Sequence, residues 1–211
     1  MSTQKIVRAL AEDVVIFENS EQVRTGAQAL APDHSPRHAY RSGALPATSV
    51  IAADDPLQRQ VEQFLFGQAE LLDGKHWQAF IDLFAEDGIY WAPVNREQTE
   101  WLDSPSIFAE DCELMTVRMG RITHPNAWSQ APNWETSHIV GNIVVVSASA
   151  THVQVRSRFQ VMELRRDTVR MLGGSYGHTL LRTPDGFRIQ LQRVDLINAQ
   201  APWDYVIQAW V

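Results

Sequence analysis

Apolar positions change their spacing twice along this chain of 211 residues. Up to about residue 50 they follow no clear period. The segment APDHSPRHAYRSGALPAT, residues 31–48, carries Pro32, Pro36, Gly43 and Pro46, which bars a long helix or a central strand there. Residues 1–30 read as partly helical and 31–50 as an extended arm. This makes 1–50 an N-terminal extension, either a loose tail or an arm on a partner, and 51–211 the folded domain.

A helical period begins at Asp54-Asp55-Pro56, where an Asp cap is followed by Pro in the first turn. Leu57, Val61, Phe64, Leu65, Gln68 and Leu72 form one stripe, and Asp73-Gly74 ends it. Trp77, Phe80, Ile81 and Phe84 share a face, which predicts a second short helix over 75–85. Glu86-Asp87-Gly88 then turns into a strand over 89–94, placed on a sheet edge because Pro93 cannot donate to a ladder. Residues 95–111 are polar and irregular. A third helix is predicted over 111–120, capped by Asp111 and turning Leu114 and Val117 inward. The Pro- and Trp-bearing stretch 123–134 reads as a loop.

From Thr136 the period becomes two. Residues 139–146 are nearly all apolar, as in a strand covered on both faces. Val153, Val155, Phe159 and Val161 alternate with His152, Gln154, Arg156, Arg158 and Gln160, so one face is wet or interfacial. The alternation slips at Val161-Met162, which predicts a bulge or bend, and Gly173-Gly174 interrupts the next strand. Thr183-Pro184-Asp185-Gly186 is a turn, after which Phe187, Ile189 and Leu191 open the last strand. Helices first and a bent antiparallel sheet afterwards define an α+β domain.

Composition narrows the function. Hydrophobic residues make up 45% and charged residues 20%, enough to build a core. The net charge of −7 argues against a general nucleic-acid binder. Residues 1–150 sum to −10 and residues 151–211 to +3, and 16 of the 18 basic residues are Arg, which suits fixed ion pairs and interfaces. No apolar run reaches the length of about 18 residues needed to span a bilayer. The N-terminus lacks an apolar signal core, so a cytoplasmic setting is expected. Cys112 is the only cysteine. It allows no intrachain disulfide and no Cys-rich zinc site, and a Rieske cluster needs two Cys and two His.

Candidate chemistry is sparse. His34, His38, His76, His124, His138, His152 and His178 form no close metal pair. His124 and His138 with Asp111 could supply the donor types of a two-His-one-carboxylate iron site, but their spacing is not diagnostic. Asp73, Tyr90 and His138 could converge inside the helix–sheet fold, where a carboxylate and an imidazole would suit proton transfer. The plainer alternative has Asp73 capping a turn and His138 bonded within the core. Trp128 and Trp134 lie in the predicted loop, where aromatic side chains beside Arg-rich faces would serve an interface or pack locally.

The stretch FLFGQAELLDGKHWQAFIDLFAEDGIYWAP, residues 64–93, resembles the start of the beta (small) subunit of aromatic-ring-hydroxylating dioxygenases. Its matching features are Glu70 to Asp73, Trp77, Leu83 to Asp87 and Tyr90 to Pro93. Val117-Arg118, Gly120-Arg121, Trp128, Pro132, Thr136-Ser137-His138 with Asn142, and the ending around Arg193-Val194 extend the resemblance over residues 55–211. It implies a cone-shaped, nuclear transport factor 2-like fold, shared with ketosteroid isomerase and scytalone dehydratase. It also implies a catalytic alpha subunit as partner, carrying a Rieske [2Fe-2S] cluster and mononuclear Fe(II), in an alpha3beta3 hexamer with beta–beta contacts. A ferredoxin and reductase would serve that complex with electrons from NAD(P)H. This chain would then hold no catalytic residue, cofactor or metal. The alternative is a stand-alone dehydratase or isomerase using Asp73, Tyr90 and His138; a binding module without chemistry is a third possibility.

Overall fold

The computed structural model describes residues 54–102, 105–127, 134–203, 205–208 and 210–211. The expectations for residues 1–50, with His34 and His38, and those for Trp128 and Pro132 lie outside them.

Helix α1 (Pro56–Asp73) starts where the Asp55 carboxylate accepts the Leu57 amide at 2.8 Å. Pro56 occupies the first position, where no amide bond is lost. The helix buries Val61, Leu65, Ala69 and Leu72, together with Gln58 and Gln68. Helix α2 (Trp77–Ile81) is shorter than predicted. Phe84 already opens strand β1 (Phe84–Pro93), because the Leu83 carbonyl accepts the Ile189 amide at 2.8 Å and commits the chain to the sheet.

Strand β2 (Ser106–Asp111) lies within the stretch expected to be irregular. Asp111 then caps helix α3 (Cys112–Ile122), accepting the Leu114 amide at 2.8 Å. Met115 is the buried residue of α3, flanked on the core side by Cys112, Met119 and Ile122. Val117, expected inside, is 46% exposed, and Leu114 is only half-buried.

Strands β3 (Trp134–Ala148), β4 (His152–Arg165), β5 (Thr168–Thr183) and β6 (Gly186–Leu196) complete a six-stranded sheet in the order β2-β1-β6-β5-β4-β3. The sheet is mixed, not wholly antiparallel, since β1 and β6 run parallel. Two strands also come between the second and third helices. β1 is therefore an interior strand and not an edge; Pro93 is tolerated because it ends the strand at a register shift after Ala92. β3, predicted to be covered on both faces, is an edge strand with Ile139 66% exposed.

The predicted slip at Val161-Met162 does not occur. β4 pairs with β5 without a break from His152 to Arg165, and Gly173-Gly174 do not interrupt it. Besides the register shifts in β1, bulges fall in β3, after Gly141 and after Val145, and at Gln190 in β6. Asn142, within the first, adopts φ 50°. The extra residue at Gln190 changes which side chains face inward. Phe187 and Ile189 enter the main core, whereas Leu191 joins Ile89 and Trp91 in a second cluster.

Gly174 is present because two backbones meet there. A Cβ on it would lie 2.1 Å from the Asp195 carbonyl oxygen, whereas at Gly173 the nearest atom would be 3.5 Å away. Gly174→Ala is expected to destabilise by about 1–3 kcal/mol or more, and Gly173→Ala to be close to neutral. Urea unfolding of the two variants checks the difference; equal effects would contradict it.

Candidate functional site

Asp73 is the last residue of α1, and its carboxylate accepts three hydrogen bonds from β3. The donors are the Thr136 hydroxyl at 2.9 Å, the His138 amide at 2.8 Å and His138 Nδ1 at 2.5 Å. Because a carboxylate only accepts, the ring proton sits on Nδ1 and the lone pair on Nε2. Nε2 is buried and has no partner. Burial lowers the pKa of His138 from its ordinary value, outweighing the opposing pull of Asp73, so the ring is neutral at neutral pH.

The other expected residues have different partners. Tyr90 is buried in β1, where its hydroxyl donates to the Val211 carbonyl at 3.1 Å and accepts the Val211 amide at 3.0 Å. Burial pushes its pKa far upward, leaving a neutral phenol bonded to the main chain. His138 lies on β3, an edge strand of the sheet. Asp111 caps α3, and exposed His124 accepts the Asn126 amide on Nδ1 at 3.1 Å. His124, His138 and Asp111 are not brought together; among the described residues no group of three His, Cys, Asp or Glu is placed to hold a metal ion. Trp134, expected in a loop, opens β3 and stacks on Trp77 with ring centroids 5.7 Å apart.

Two buried polar residues escaped the sequence reading. Glu163, opposite Thr136 on β4, accepts the Trp134 indole N–H on Oε1 at 3.0 Å, while its buried Oε2 has no partner. His178 on β5 is fully buried, and neither ring nitrogen has a hydrogen bond. The signal was available for Glu163. The odd-numbered positions from Val153 onward face inward and continue through Val161 to Glu163; the supposed slip hid it.

Burial pushes the pKa of His178 down to about 3. The unfolded chain therefore binds a proton near pH 6.5 that the folded chain refuses. This contribution to stability is complete above pH 6.5 and is lost as the pH falls towards 3, by up to about 1.4 kcal/mol per pH unit. Urea unfolding across that range is expected to show a slope that His178→Gln reduces; an unchanged slope would contradict this.

The sheet's other face differs between its two ends. Near β1 and β6, Trp91 and Leu191 pack beneath Trp101. Near β3 to β5, Ile139, Met162, Val169 and Met171 are 66%, 48%, 56% and 60% exposed. Met162 and Met171 are direct cross-strand partners. Arg156 and Arg158 precede Met162 on the same face of β4. Large apolar side chains grouped beside Arg make a face suited to a protein partner.

The six-stranded mixed sheet with helices on one side is an α+β fold, as expected, and is shared with a solved dioxygenase beta subunit. The ring hydroxylating beta subunit family matches residues 67–202, and the chain belongs to that family. The beta subunit of biphenyl 2,3-dioxygenase from Rhodococcus jostii is 27% identical over 169 residues, covering 70% of this chain and 87% of that protein. The beta subunit of benzene 1,2-dioxygenase from Pseudomonas putida is 30% identical over 154 residues, covering 67% and 82%. The crystal structure of the beta subunit of benzoate 1,2-dioxygenase from Burkholderia mallei superposes with a TM-score of 0.59 at 25% identity. That match covers 74% of this chain and 100% of the other. No helix among the described residues is long and apolar enough to cross a membrane.

Proposed function

We propose that this chain is the noncatalytic small subunit of a multicomponent aromatic-ring-hydroxylating dioxygenase acting in aromatic-compound catabolism. The observation that carries the reading is the family match over residues 67–202. In this reading the alpha subunit supplies the Rieske cluster and the mononuclear iron. Cys112 as the sole cysteine agrees, since this chain alone cannot furnish two Cys ligands. A ferredoxin and reductase deliver electrons from NAD(P)H, and both atoms of O₂ enter the arene to give a cis-dihydrodiol. The assembly is a cytoplasmic alpha3beta3 hexamer with beta–beta contacts. Its beta chains hold the alpha subunits so that one subunit's cluster lies near the next one's iron.

The face carrying Ile139, Met162 and Met171 is assigned to the alpha subunit. Burying apolar side chains that otherwise stand in water favours association at about 25 cal/mol per Å² of apolar surface, before the costs of binding. Met162→Asp with Met171→Asp is expected to reduce alpha-chain recovery in co-purification at least tenfold, because the complex would bury two unpaired charges. The melting temperature should change little, since both side chains are exposed. Undiminished recovery would overturn this assignment.

A second reading, a stand-alone dehydratase or isomerase, draws support from the Asp73–His138 pair, although Tyr90 is engaged with Val211. It requires turnover by the isolated chain that is lost in both Asp73→Asn and His138→Ala.

A further inference from the structure

We infer that the interior between β3 and β4 is a binding site for a small ring compound bearing two hydroxyl groups, with His138 Nε2 and Glu163 Oε2 as the acceptors. His138 pairs with Val161 and Thr136 with Glu163. His138 and Glu163 thus occupy diagonal positions on the inner face, whose backbones stand about 7–8 Å apart in an antiparallel pair. Each side chain is anchored through its other polar atom. Asp73 holds His138 by Nδ1, and the Trp134 indole holds Glu163 by Oε1. What remains on each is a buried atom with no hydrogen bond.

Both remaining atoms are acceptors, so the guest must donate twice. An ether, a ketone or a bare arene would leave both unpaired, and a monohydric phenol would leave one. The neighbouring inner-face side chains, Phe159, Val161, Leu172 and Tyr176, are ring-bearing or aliphatic and buried, which suits the carbon frame of a ring. Asp73, 26% exposed, is the member of the cluster that reaches solvent. A purely structural clasp between α1 and β3 accounts for Nδ1 and for Asp73; it gives no role to Nε2 or to Glu163 Oε2. His178 lies further along the same interior, edge-on to the Tyr176 ring at 5.6 Å, and is not counted with the two acceptors because neither of its nitrogens is anchored by a hydrogen bond.

The two acceptors set the ligand class without reference to the partner subunit. That a vicinal diol is also the class of product released by the proposed complex rests on the proposed function.

The test titrates catechol into the isolated full chain by calorimetry under reducing conditions, with 1,2-dimethoxybenzene as the analogue lacking both donors. Catechol is expected to bind at least tenfold more tightly than the diether. Glu163→Gln, which keeps an oxygen for Trp134 and replaces the free acceptor with an amide, should weaken catechol at least tenfold. The ¹⁵N spectrum of the wild-type chain should show His138 protonated on Nδ1, with a bare Nε2 resonance that moves on adding catechol. Equal binding of both compounds, no binding of catechol, or binding that leaves the Nε2 resonance in place would overturn the inference. No alpha subunit is present in this experiment, so its failure is distinct from failure of the subunit assignment.

Discussion

Replacing Asp195 with Ala is expected to cost the domain about 3–5 kcal/mol, the range for removing one partner of a buried ion pair. Arg193 and Asp195 are both fully buried on β6. Arg193 Nε lies 3.0 Å from each carboxylate oxygen, and a terminal nitrogen donates to one of them at 2.8 Å. The remaining donors reach the carbonyls of Gln98 at 2.5 Å and Arg96 at 2.8 Å, and the guanidinium lies over the Trp91 ring. One charge therefore pins the loop after β1 across the outside of the sheet. Without Asp195 the guanidinium keeps its carbonyls and its ring but loses its counter-charge in a site closed to water. Removing both charges in Arg193→Met/Asp195→Ala should recover part of the loss, because no orphan charge is then buried. Urea midpoints at unchanged slope measure both effects. A single-variant cost below about 1 kcal/mol, the range of an exposed pair, would contradict the account.

Trp210→Ala is expected to cost a similar amount, about 3–5 kcal/mol. Trp210 is buried against Phe80 and Trp77, with ring centroids 5.2 and 5.9 Å away. Its indole N–H donates to Glu110 Oε2 at 3.0 Å, while Arg118 holds the other carboxylate oxygen. The next residue, Val211, exchanges two hydrogen bonds with the Tyr90 hydroxyl. The tail therefore completes the core between α2 and β1. Trp210→Phe keeps most of the buried ring and removes the donor, so about 1–3 kcal/mol is expected for the unpaired carboxylate oxygen. The order Ala worse than Phe, and Phe worse than wild type, is read from thermal unfolding. An Ala variant as stable as wild type would show that the tail does not fill the core.

Local signals were legible where neighbouring residues decide the outcome. Asp55-Pro56 and Asp111 each cap the helix they were expected to cap, because a carboxylate two or three residues ahead of an amide needs no distant partner. The alternation in β4 and the Pro184-Asp185 turn are of the same kind. Signals failed where a distant segment decides. β1 looked like an edge because of Pro93, yet its parallel partner β6 lies about a hundred residues later. The apolar run in β3 implied cover on both faces, but Ile139 stands exposed on the edge strand; its cover is assigned here to another subunit.

The candidate site divides in the same way. Asp73 and His138 were named from a helix end and a strand, and they meet at 2.5 Å. Tyr90 was named with them, and its hydroxyl is bonded instead to a residue at the far end of the chain. Glu163 is hard to read from the sequence, because two adjacent apolar residues, Val161-Met162, mimic a change of register just before it. Met162 continues the outward face, an exposed apolar residue among polar neighbours.

The central claim is that this chain works as the supporting subunit of an oxygenase. The most direct test purifies the full chain, tagged at its N-terminus, from its native host. Native mass spectrometry then gives the stoichiometry, and electron paramagnetic resonance gives the iron centres. The expected result is an equimolar complex with a larger chain that carries the Rieske signal and the mononuclear iron, while this chain released from the complex carries neither. Recovery of this chain alone as a stable homo-oligomer would contradict the account.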